Sequence, residues 1–401
     1  MINKIIPDIE KIVIEDDGIT ESESQKIDKI IENTKKLLKT NLEQIIYLKK
    51  DEYSKFVEEN SDLTLKYCKG SKYNKNIDNN NPQNSNGPVK PLVSGKKYTL
   101  LLQRNPGIYI KKCPGTPNYI CCNYFITSFY QNCSLNCTYC FLKFYLKNDF
   151  LIIYYDIDRF FDELSQNKNI KRLGSGELAD SLLFDPITEY SKILLQKMKN
   201  YPSTIFEFKT KTTNIDVFLD SKPLDNIVIG FSLNPYNISK IFEKDSIAPA
   251  NRIEAAKLLI EKGWKVSFHF DPIILLKTDD GKILNTDNYK SLFETISTLP
   301  SENIAWVSIG TLRYHQDLID KLRASRDSRI LLKNEIIYGL DGKVRYFYKD
   351  REKIYMELLN IYKRTNANFP LYFCMESERI YLNTFGQMPW HIDKLKESFI
   401  F

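Results

Sequence analysis

Histidine is scarce in this chain: three residues in 401, at 269, 315 and 391, with no H-x3-H spacing, which argues against a histidine-built metal centre. No run of 18 or more apolar residues occurs, and Met1-Ile-Asn-Lys4 leads into Pro7 and the acidic Glu15-Asp-Asp17 without a signal-peptide pattern. The expectation is a soluble, cytoplasmic protein with no membrane partner. The formal net charge of +6 is too small to describe a partner, so any nucleic-acid footprint must be local. Eight cysteines are too few for a disulfide scaffold of this length and read as ligands, catalytic groups or core residues. A dinucleotide-binding glycine fingerprint is also missing from the first strand-to-helix turn.

What is present is enough for a sizeable core, with 42% hydrophobic residues, 25 Tyr and 23 Phe. Residues 1–70 read as an N-terminal extension or small subdomain, with a strand over Lys11–Glu15 and a helix over Ser22–Lys39 in which Ile27, Ile30, Ile31 and Leu37 recur near helical spacing. Residues 71–97, including Asn79-Asn-Asn-Pro-Gln-Asn-Ser-Asn-Gly-Pro88, form a polar Asn/Pro/Gly-rich linker that cannot bury enough surface to offset its ordering entropy.

Residues 98–376 alternate strands and helices. Strands are expected over Tyr119–Thr127, Lys171–Gly174, Thr204–Lys209, Asn226–Asn234, Lys265–Asp271, Ile304–Gly310 and Leu371–Glu376. Helices are expected over Ile157–Gln166, Pro186–Asn200, Pro249–Lys262, Asn288–Leu299, Gln316–Ala324 and Arg351–Arg364. Five or more β-then-α alternations predict an α/β fold with a full or partial β/α barrel, whose chemistry sits at the C-terminal ends of the strands. A β-hairpin over 333–348, turning at Leu340-Asp-Gly342, is inserted before the last strand, and 377–401 form a C-terminal tail.

The most informative stretch is Cys133-Ser-Leu-Asn-Cys137-Thr-Tyr-Cys140, just after the first barrel strand. Three thiolates at this spacing can hold three irons of a cubane cluster and leave the fourth open to a substrate or cofactor. Zinc asks for four ligands in paired C-x2-4-C units, and no second pair of that kind follows. The next strand ends carry Gly174-Ser-Gly176-Glu177, Lys209-Thr-Lys211, Ser232-Leu-Asn234 and His269-Phe-Asp271: glycines for close backbone approach, and carboxylate, ammonium, hydroxyl and amide groups on one rim. Each is also read as a polar strand end facing water.

These residues carry a resemblance. Cys133-x3-Cys137-x2-Cys140 resembles the signature of the radical S-adenosylmethionine enzymes. The Cys137-Thr-Tyr-Cys-Phe-Leu142 core, Thr210–Asp220, Phe231–Asn234, Asn251–Lys257 and the hairpin with its following helix resemble the spore photoproduct lyase family over residues 98–376, with a weaker echo in 7–32. The resemblance implies a partial (β/α)6-type barrel of the radical SAM kind with a 4Fe–4S cluster on Cys133, Cys137 and Cys140. It implies S-adenosyl-L-methionine on the open iron, contacted by Tyr139, Gly176, Glu177, Lys211 and Ser232. Reductive cleavage would give a 5′-deoxyadenosyl radical for repair of a thymine photolesion in DNA, with an electron donor such as a flavodoxin or ferredoxin.

The chain departs from that family at two places. The family's hydrogen-returning cysteine near the end of the second strand is matched by Glu177 or a neighbour, and the tyrosine after the third cluster cysteine is Phe141, which has no O–H to give. Cys374, the only cysteine after Cys140, is the candidate hydrogen donor beside its reading as an inert buried thiol. Cys113, Cys121 and Cys122 are irregularly spaced and read as core or loop thiols. For nucleic acid, the window 321–353 carries ten Lys or Arg against five acids, interleaved with Tyr338, Tyr346, Phe347 and Tyr348. Lys343, Arg345 and Tyr346 are its candidate contacts, and a solvated basic face is the competing reading. Two other functions stay open: radical chemistry on a different substrate without the hydrogen-return cysteine, and a nucleic-acid-binding protein with a structural or redox iron–sulfur cluster.

Overall fold

Pro7 has no N–H to give a ladder, yet it lies inside β1 (Ile5–Glu15). The pairing accommodates it: the register with its parallel neighbour shifts between Ile6 and Asp8, and the strand on its other side pairs only from Lys11 onward. Those neighbours are β2 (Gln44–Leu48) and β3 (Leu92–Gln103). The chain is seen here in a computed structural model that describes residues 5–38, 42, 44–60, 92–115, 118–142, 146, 148–278, 280–316, 319, 322, 329–339 and 341–398. β1 runs six residues ahead of the expected Lys11–Glu15, because Ile5, Ile6 and Ile9 are as buried as Ile12, Val13 and Ile14. The helix Glu21–Leu38 covers this sheet with Ile27, Ile30, Ile31, Thr34 and Leu38, one apolar face at helical spacing.

Four short strands follow: β4 (Lys111–Lys112), β5 (Phe125–Ile126), β6 (Tyr130–Gln131) and β7 (Leu151–Tyr154). The first sheet has the order β2-β1-β3-β7-β6. Residues 5–60 therefore share a sheet with strands of the following segment, and Asn214 fastens Ile5 by hydrogen bonds to both its N–H (3.3 Å) and its carbonyl (2.8 Å). Of the stretch read as a linker, residues 71–91 lie outside the described residues and 92–97 belong to β3.

The second sheet is the curled half-barrel. It adds β8 (Arg172–Ser175), β9 (Ile205–Thr210), β10 (Ile227–Ser232), β11 (Lys265–Ile273), β12 (Ile304–Thr311) and, after a three-stranded insertion, a last strand at Leu371–Phe373. From β5 to Leu371–Phe373 every neighbour is parallel, and only β4 runs antiparallel at the edge. All seven expected barrel strands are in this sheet in chain order. The first is shorter than Tyr119–Thr127, since Asn118 and Asn123 adopt positive φ and break the extended run. The expected helix Pro186–Asn200 is two helices, Asp185–Thr188 and Tyr190–Met198, divided at Glu189, whose φ is +53°. Helix Pro249–Glu261 has Pro at its first turn and Gly263 at φ +89° just beyond its end. Most of Gln316–Ala324 lies outside the described residues.

The insertion consists of β13 (Arg313–His315), β14 (Ile336–Tyr338) and β15 (Lys343–Tyr346) in the order β13-β15-β14, all antiparallel. It is the expected hairpin with one further strand, followed by helix Tyr348–Arg364 and by β16 (Leu371–Phe373). Between the sheets and helices lies an aromatic core in which Phe206, Phe208, Phe218 and Trp264 meet in successive edge-to-face contacts of 4.9–5.5 Å. No helix among the described residues is long and apolar enough to cross a membrane.

Candidate active site at the mouth of the half-barrel

The three cysteines lie on the loop between β6 and β7, strands of the first sheet, and contacts from Tyr139 to Asn234 and from Thr138 to Phe242 set this loop against the segment that follows β10 of the half-barrel. Local bonds set the loop's path. Asn132, at φ +71°, accepts from the Cys133 N–H (2.8 Å) and donates to the Phe150 carbonyl (3.1 Å), and the Thr138 N–H donates to the Phe242 carbonyl (2.8 Å). Cys137 is buried; Cys133 and Cys140 are half-buried. Burial pushes the Cys133 thiol well above its ordinary value, and Asp180, Cys137 and Cys140 add to the rise. Burial also lifts Cys137, to about 12, against the pull of Lys211 and Arg252. The three thiols therefore sit within one another's electrostatic reach, in surroundings that favour the thiolate only when a cation arrives. Among the described residues no three His, Cys, Asp or Glu side chains converge on a single ion. Three cysteines on one loop are a donor set that suits a cubane cluster, in which each sulfur would serve a different iron.

Directly against this loop is a buried polar network. The Tyr139 hydroxyl donates to Glu243, which also accepts from Asn234 Nδ2 (3.0 Å), Ser239 Oγ (3.2 Å) and Arg252 Nη2 (2.8 Å). Arg252 also donates to the Ile247 carbonyl and the Ser232 carbonyl, both at 2.7 Å. Burial alone would raise Glu243, but Arg252, Lys211 and its hydrogen bonds outweigh it and hold the carboxyl down at about 2. Lys211 is shifted the other way: burial favours its neutral form, but Cys137 and Glu243 together keep it charged. Asp180 shapes the turn after β9, accepting from the Lys211 N–H (2.6 Å) and from Thr210 Oγ1 (2.7 Å).

The sequence-predicted residues fall around this network. Tyr139 is buried and its ring lies 5.8 Å from Lys211 Nζ. Gly176 has φ +107°, and a Cβ there would come within 3.0 Å of the Lys209 carbonyl and Ser181 Oγ, so only glycine fits. Glu177 is half-buried, and burial raises its pKa against the pull of Lys111. The Ser232 hydroxyl, at the end of β10, is buried without a hydrogen-bond partner among the described residues.

A second set lies across the mouth. Arg313 Nη2 stands 3.0 Å from Asp271 and 3.2 Å from Cys374 Sγ. Burial pushes the Cys374 thiol up, with Arg313 acting in the opposite direction, so it keeps its proton at neutral pH. The predicted nucleic-acid residues need correction. Arg345 is 2% exposed, paired with Asp341 at 2.7 and 2.8 Å and stacked 4.0 Å over Tyr119, and Tyr346 is fully buried with its oxygen receiving the Leu275 N–H. Neither presents a side chain to solvent; on this hairpin Lys343 is half-buried and Tyr338 is 65% exposed.

Sequence reasoning missed the network inside the barrel. Glu207 accepts from His269 Nε2 (2.7 Å), Trp306 Nε1 (3.1 Å), Ser267 and the Tyr124 hydroxyl (2.5 Å), while His269 Nδ1 meets Ser308 Oγ at 2.6 Å. Burial favours neutral His269, and this ring beside an ionised Glu207 is a structural pair at the heart of the sheet. Its signal was a lone acid inside the apolar Ile205-Phe-Glu-Phe208 run.

With the geometry in place, comparison with known proteins is informative. The family described as Spore photoproduct lyase matches residues 121–372. Among solved structures, a spore photoproduct lyase complexed with dinucleoside spore photoproduct is 14% identical, covers 92% of this chain and 100% of its own, and superposes with a TM-score of 0.63. A mutant of that lyase with bound AdoMet and dinucleoside spore photoproduct is 15% identical over the same shares, with a TM-score of 0.64. At these identities the likeness speaks for the fold. No curated protein matches the chain.

Proposed function

The chain belongs to the spore photoproduct lyase family of radical S-adenosylmethionine lyases, and on that premise we propose that it holds a 4Fe–4S cluster on Cys133, Cys137 and Cys140 and acts on a thymine photolesion in DNA. The observation that carries this reading is the Ser232 hydroxyl, buried without a partner among the described residues at the end of β10, two residues before Asn234, which hydrogen-bonds Tyr139 of the cysteine loop. Such a group costs about 1–3 kcal/mol unless something completes it, and a bound cofactor would. When bound, the cluster and S-adenosylmethionine would supply one-electron chemistry able to abstract hydrogen from the substrate.

The chain's own residues then have distinct tasks. Glu177 receives the amine of the methionine part, while the backbone at Gly176 approaches it closely. Lys211, kept charged by its neighbours, faces the carboxylate, and Ser232 donates to the cofactor. The hydroxyl of Tyr139 is committed to Glu243, so what this residue offers is ring and backbone. Cys374 keeps its S–H hydrogen beside Arg313 and is the hydrogen donor to the product radical, with an inert thiol as the competing role. The exposed Tyr338 and the half-buried Lys343 meet the nucleic acid. Solved relatives of the same fold hold AdoMet and the dinucleoside lesion, which supports this assignment.

A second reading, radical chemistry on another substrate, is favoured by Phe141, which is 46% exposed and stands where the family has a tyrosine. Anaerobic reconstitution with reductant and S-adenosylmethionine tests both. No 5′-deoxyadenosine from an intact cluster would remove the radical-enzyme reading. Its formation without repair of lesion-bearing DNA would select the second, and repair that survives Cys374→Ala would remove Cys374 as the donor. Reversing the charge of Lys343 should weaken DNA binding, and unchanged binding would remove the hairpin contact.

A further inference from the structure

Lys209 is a cation on the inner face of the half-barrel whose charge the chain itself leaves unused. Glu207 points inward, where it accepts from His269 and Trp306, while Phe206 and Phe208 pack outward, the latter on Phe218. Lys209, two residues beyond Glu207 near the end of β9, therefore faces the lumen. Ser181 pins its backbone from both sides: the Lys209 N–H donates to Ser181 Oγ (2.9 Å), and the Lys209 carbonyl accepts from the Ser181 N–H (3.1 Å). The side chain is half-buried, and its ammonium makes no hydrogen bond or ion pair among the described residues.

The other cations around the mouth are committed. Arg313 is held by Asp271 at 3.0 Å, Arg345 by Asp341 at 2.7 Å, and Lys343 stands 4.0 Å from the same Asp341. Lys211 answers Cys137 and Glu243. Lys209 is within electrostatic reach of Asp271, but Arg313 already neutralises that carboxylate. Beside Lys209 a space is kept open: at Gly176, just past β8, a Cβ would come within 3.1 Å of the Lys209 Cβ. On the far side of Gly176, β5 pairs Ile126 with Gly174, and Ser128 follows two residues later. Its hydroxyl is buried with no hydrogen-bond partner among the described residues. Phe129 turns outward onto Phe206, which leaves Ser128 on the inner side. Lys209 and Ser128 are thus two strands apart, about 10 Å at sheet spacing, with a glycine between them.

We propose that Lys209, with Ser128 across the gap, receives the phosphodiester that joins the two nucleotides of the lesion. The inference rests on the thymine-photolesion reading above and adds a substrate contact to it. Two adjacent thymidines in a strand share one phosphodiester, which enters the mouth with them. Taking that anion out of water is costly unless a cation and hydrogen-bond donors meet it. An ammonium and a hydroxyl give donors to an oxyanion, and a lysine meets phosphate as a point charge on a flexible stem. The carboxylate of S-adenosylmethionine has Lys211, two residues further on, so Lys209 is left for the substrate.

The test measures equilibrium binding to the cluster-loaded protein, with S-adenosylmethionine present and reductant withheld. Two probes are compared: the photolesion as a dinucleotide with its phosphodiester, and the same lesion as a phosphate-free dinucleoside. The unaltered protein should prefer the dinucleotide by roughly 10-fold, as one charge-assisted contact would give. Lys209→Met should bring the two probes to equal affinity, Lys209→Arg should restore most of the preference, and Ser128→Ala should reduce it roughly 3-fold. Equal affinities in the unaltered protein, a preference that persists in Lys209→Met, or a Lys209→Met variant that loses S-adenosylmethionine binding instead would overturn the proposal and leave the photolesion reading standing. Binding of neither probe would overturn that reading, and this inference with it. The comparison within the unaltered protein is decisive, so a variant that fails to fold does not remove the test.

Discussion

Arg252 and Glu243 are paired at 2.8 Å with neither side chain exposed to solvent. The pair ties the helix Pro249–Glu261 to the end of Tyr236–Phe242, and through Tyr139 and the Ser232 carbonyl it reaches both the cysteine loop and β10. Removing Arg252 leaves the buried Glu243 charge to Lys211 and its hydrogen bonds alone, and breaking such a pair costs about 3–5 kcal/mol. Arg252→Met should therefore lower stability in urea unfolding by about that amount. The double replacement with Glu243→Gln should recover a large part of the loss. A single-variant loss below about 1 kcal/mol would contradict the pairing.

Ser232 provides the opposite kind of test. Its hydroxyl has no partner among the described residues, so Ser232→Ala should leave stability unchanged or raise it by about 1 kcal/mol. If the hydroxyl serves S-adenosylmethionine, the same change should weaken cofactor binding by roughly 3- to 10-fold, the worth of one hydrogen bond. Equilibrium binding beside a melting curve separates the two effects. Lower stability with unchanged binding would mean that the hydroxyl has a structural partner.

The order of the barrel strands was legible because each is an apolar run ended by a polar residue, and that pattern depends only on local sequence. The places of Gly176, Glu177, Lys211 and Ser232 at or just past strand ends follow from the same pattern, while the cofactor contacts assigned to them belong to the proposed function. Arg345 and Tyr346 misled because alternating basic and aromatic residues look like a surface. The hairpin turn brings Asp341 onto Arg345, which neutralises the charge and lets it be buried against Tyr119. Cys113 and Cys121 looked unrelated because their spacing fits no ligand motif; the turn at Gly115 joins them. Glu243 and Arg252 are nine residues apart, and only the packing of two helices makes them a pair.

Glu207 predicts a pH dependence. Burial would raise its pKa, but His269, Ser267 and Tyr124 hold it at about 2 in the folded chain, against about 4.3 when unfolded. A depressed carboxylate binds fewer protons folded than unfolded, so its contribution is complete above about pH 4.5 and is lost as pH falls through 2. Followed by carboxyl-carbon NMR in the folded protein, the Glu207 carboxyl should stay ionised down to about pH 2. A midpoint of about 4 would mean that Glu207 is not held ionised by its neighbours.

Cys113 predicts a second titration, read as thiol reactivity. The hydrogen bond from Cys121 and the Gly115 N–H stabilise its thiolate, burial and the charges of Cys122 and Glu177 oppose it, and the balance stands at about 7. Lys343 is also within electrostatic reach and favours the same charged form. An ordinary cysteine has a pKa of about 8.5 and is a few per cent thiolate at pH 7, whereas Cys113 should be about half ionised. Its alkylation by iodoacetamide, followed at that peptide, should rise with a midpoint near pH 7 and approach its plateau by about pH 8. Cys121→Ser replaces the thiol donor by a hydroxyl on a shorter bond, so the midpoint should move upward in that variant. A midpoint above about 8.5 in the unaltered protein would mean that the two thiols do not share a hydrogen bond in solution.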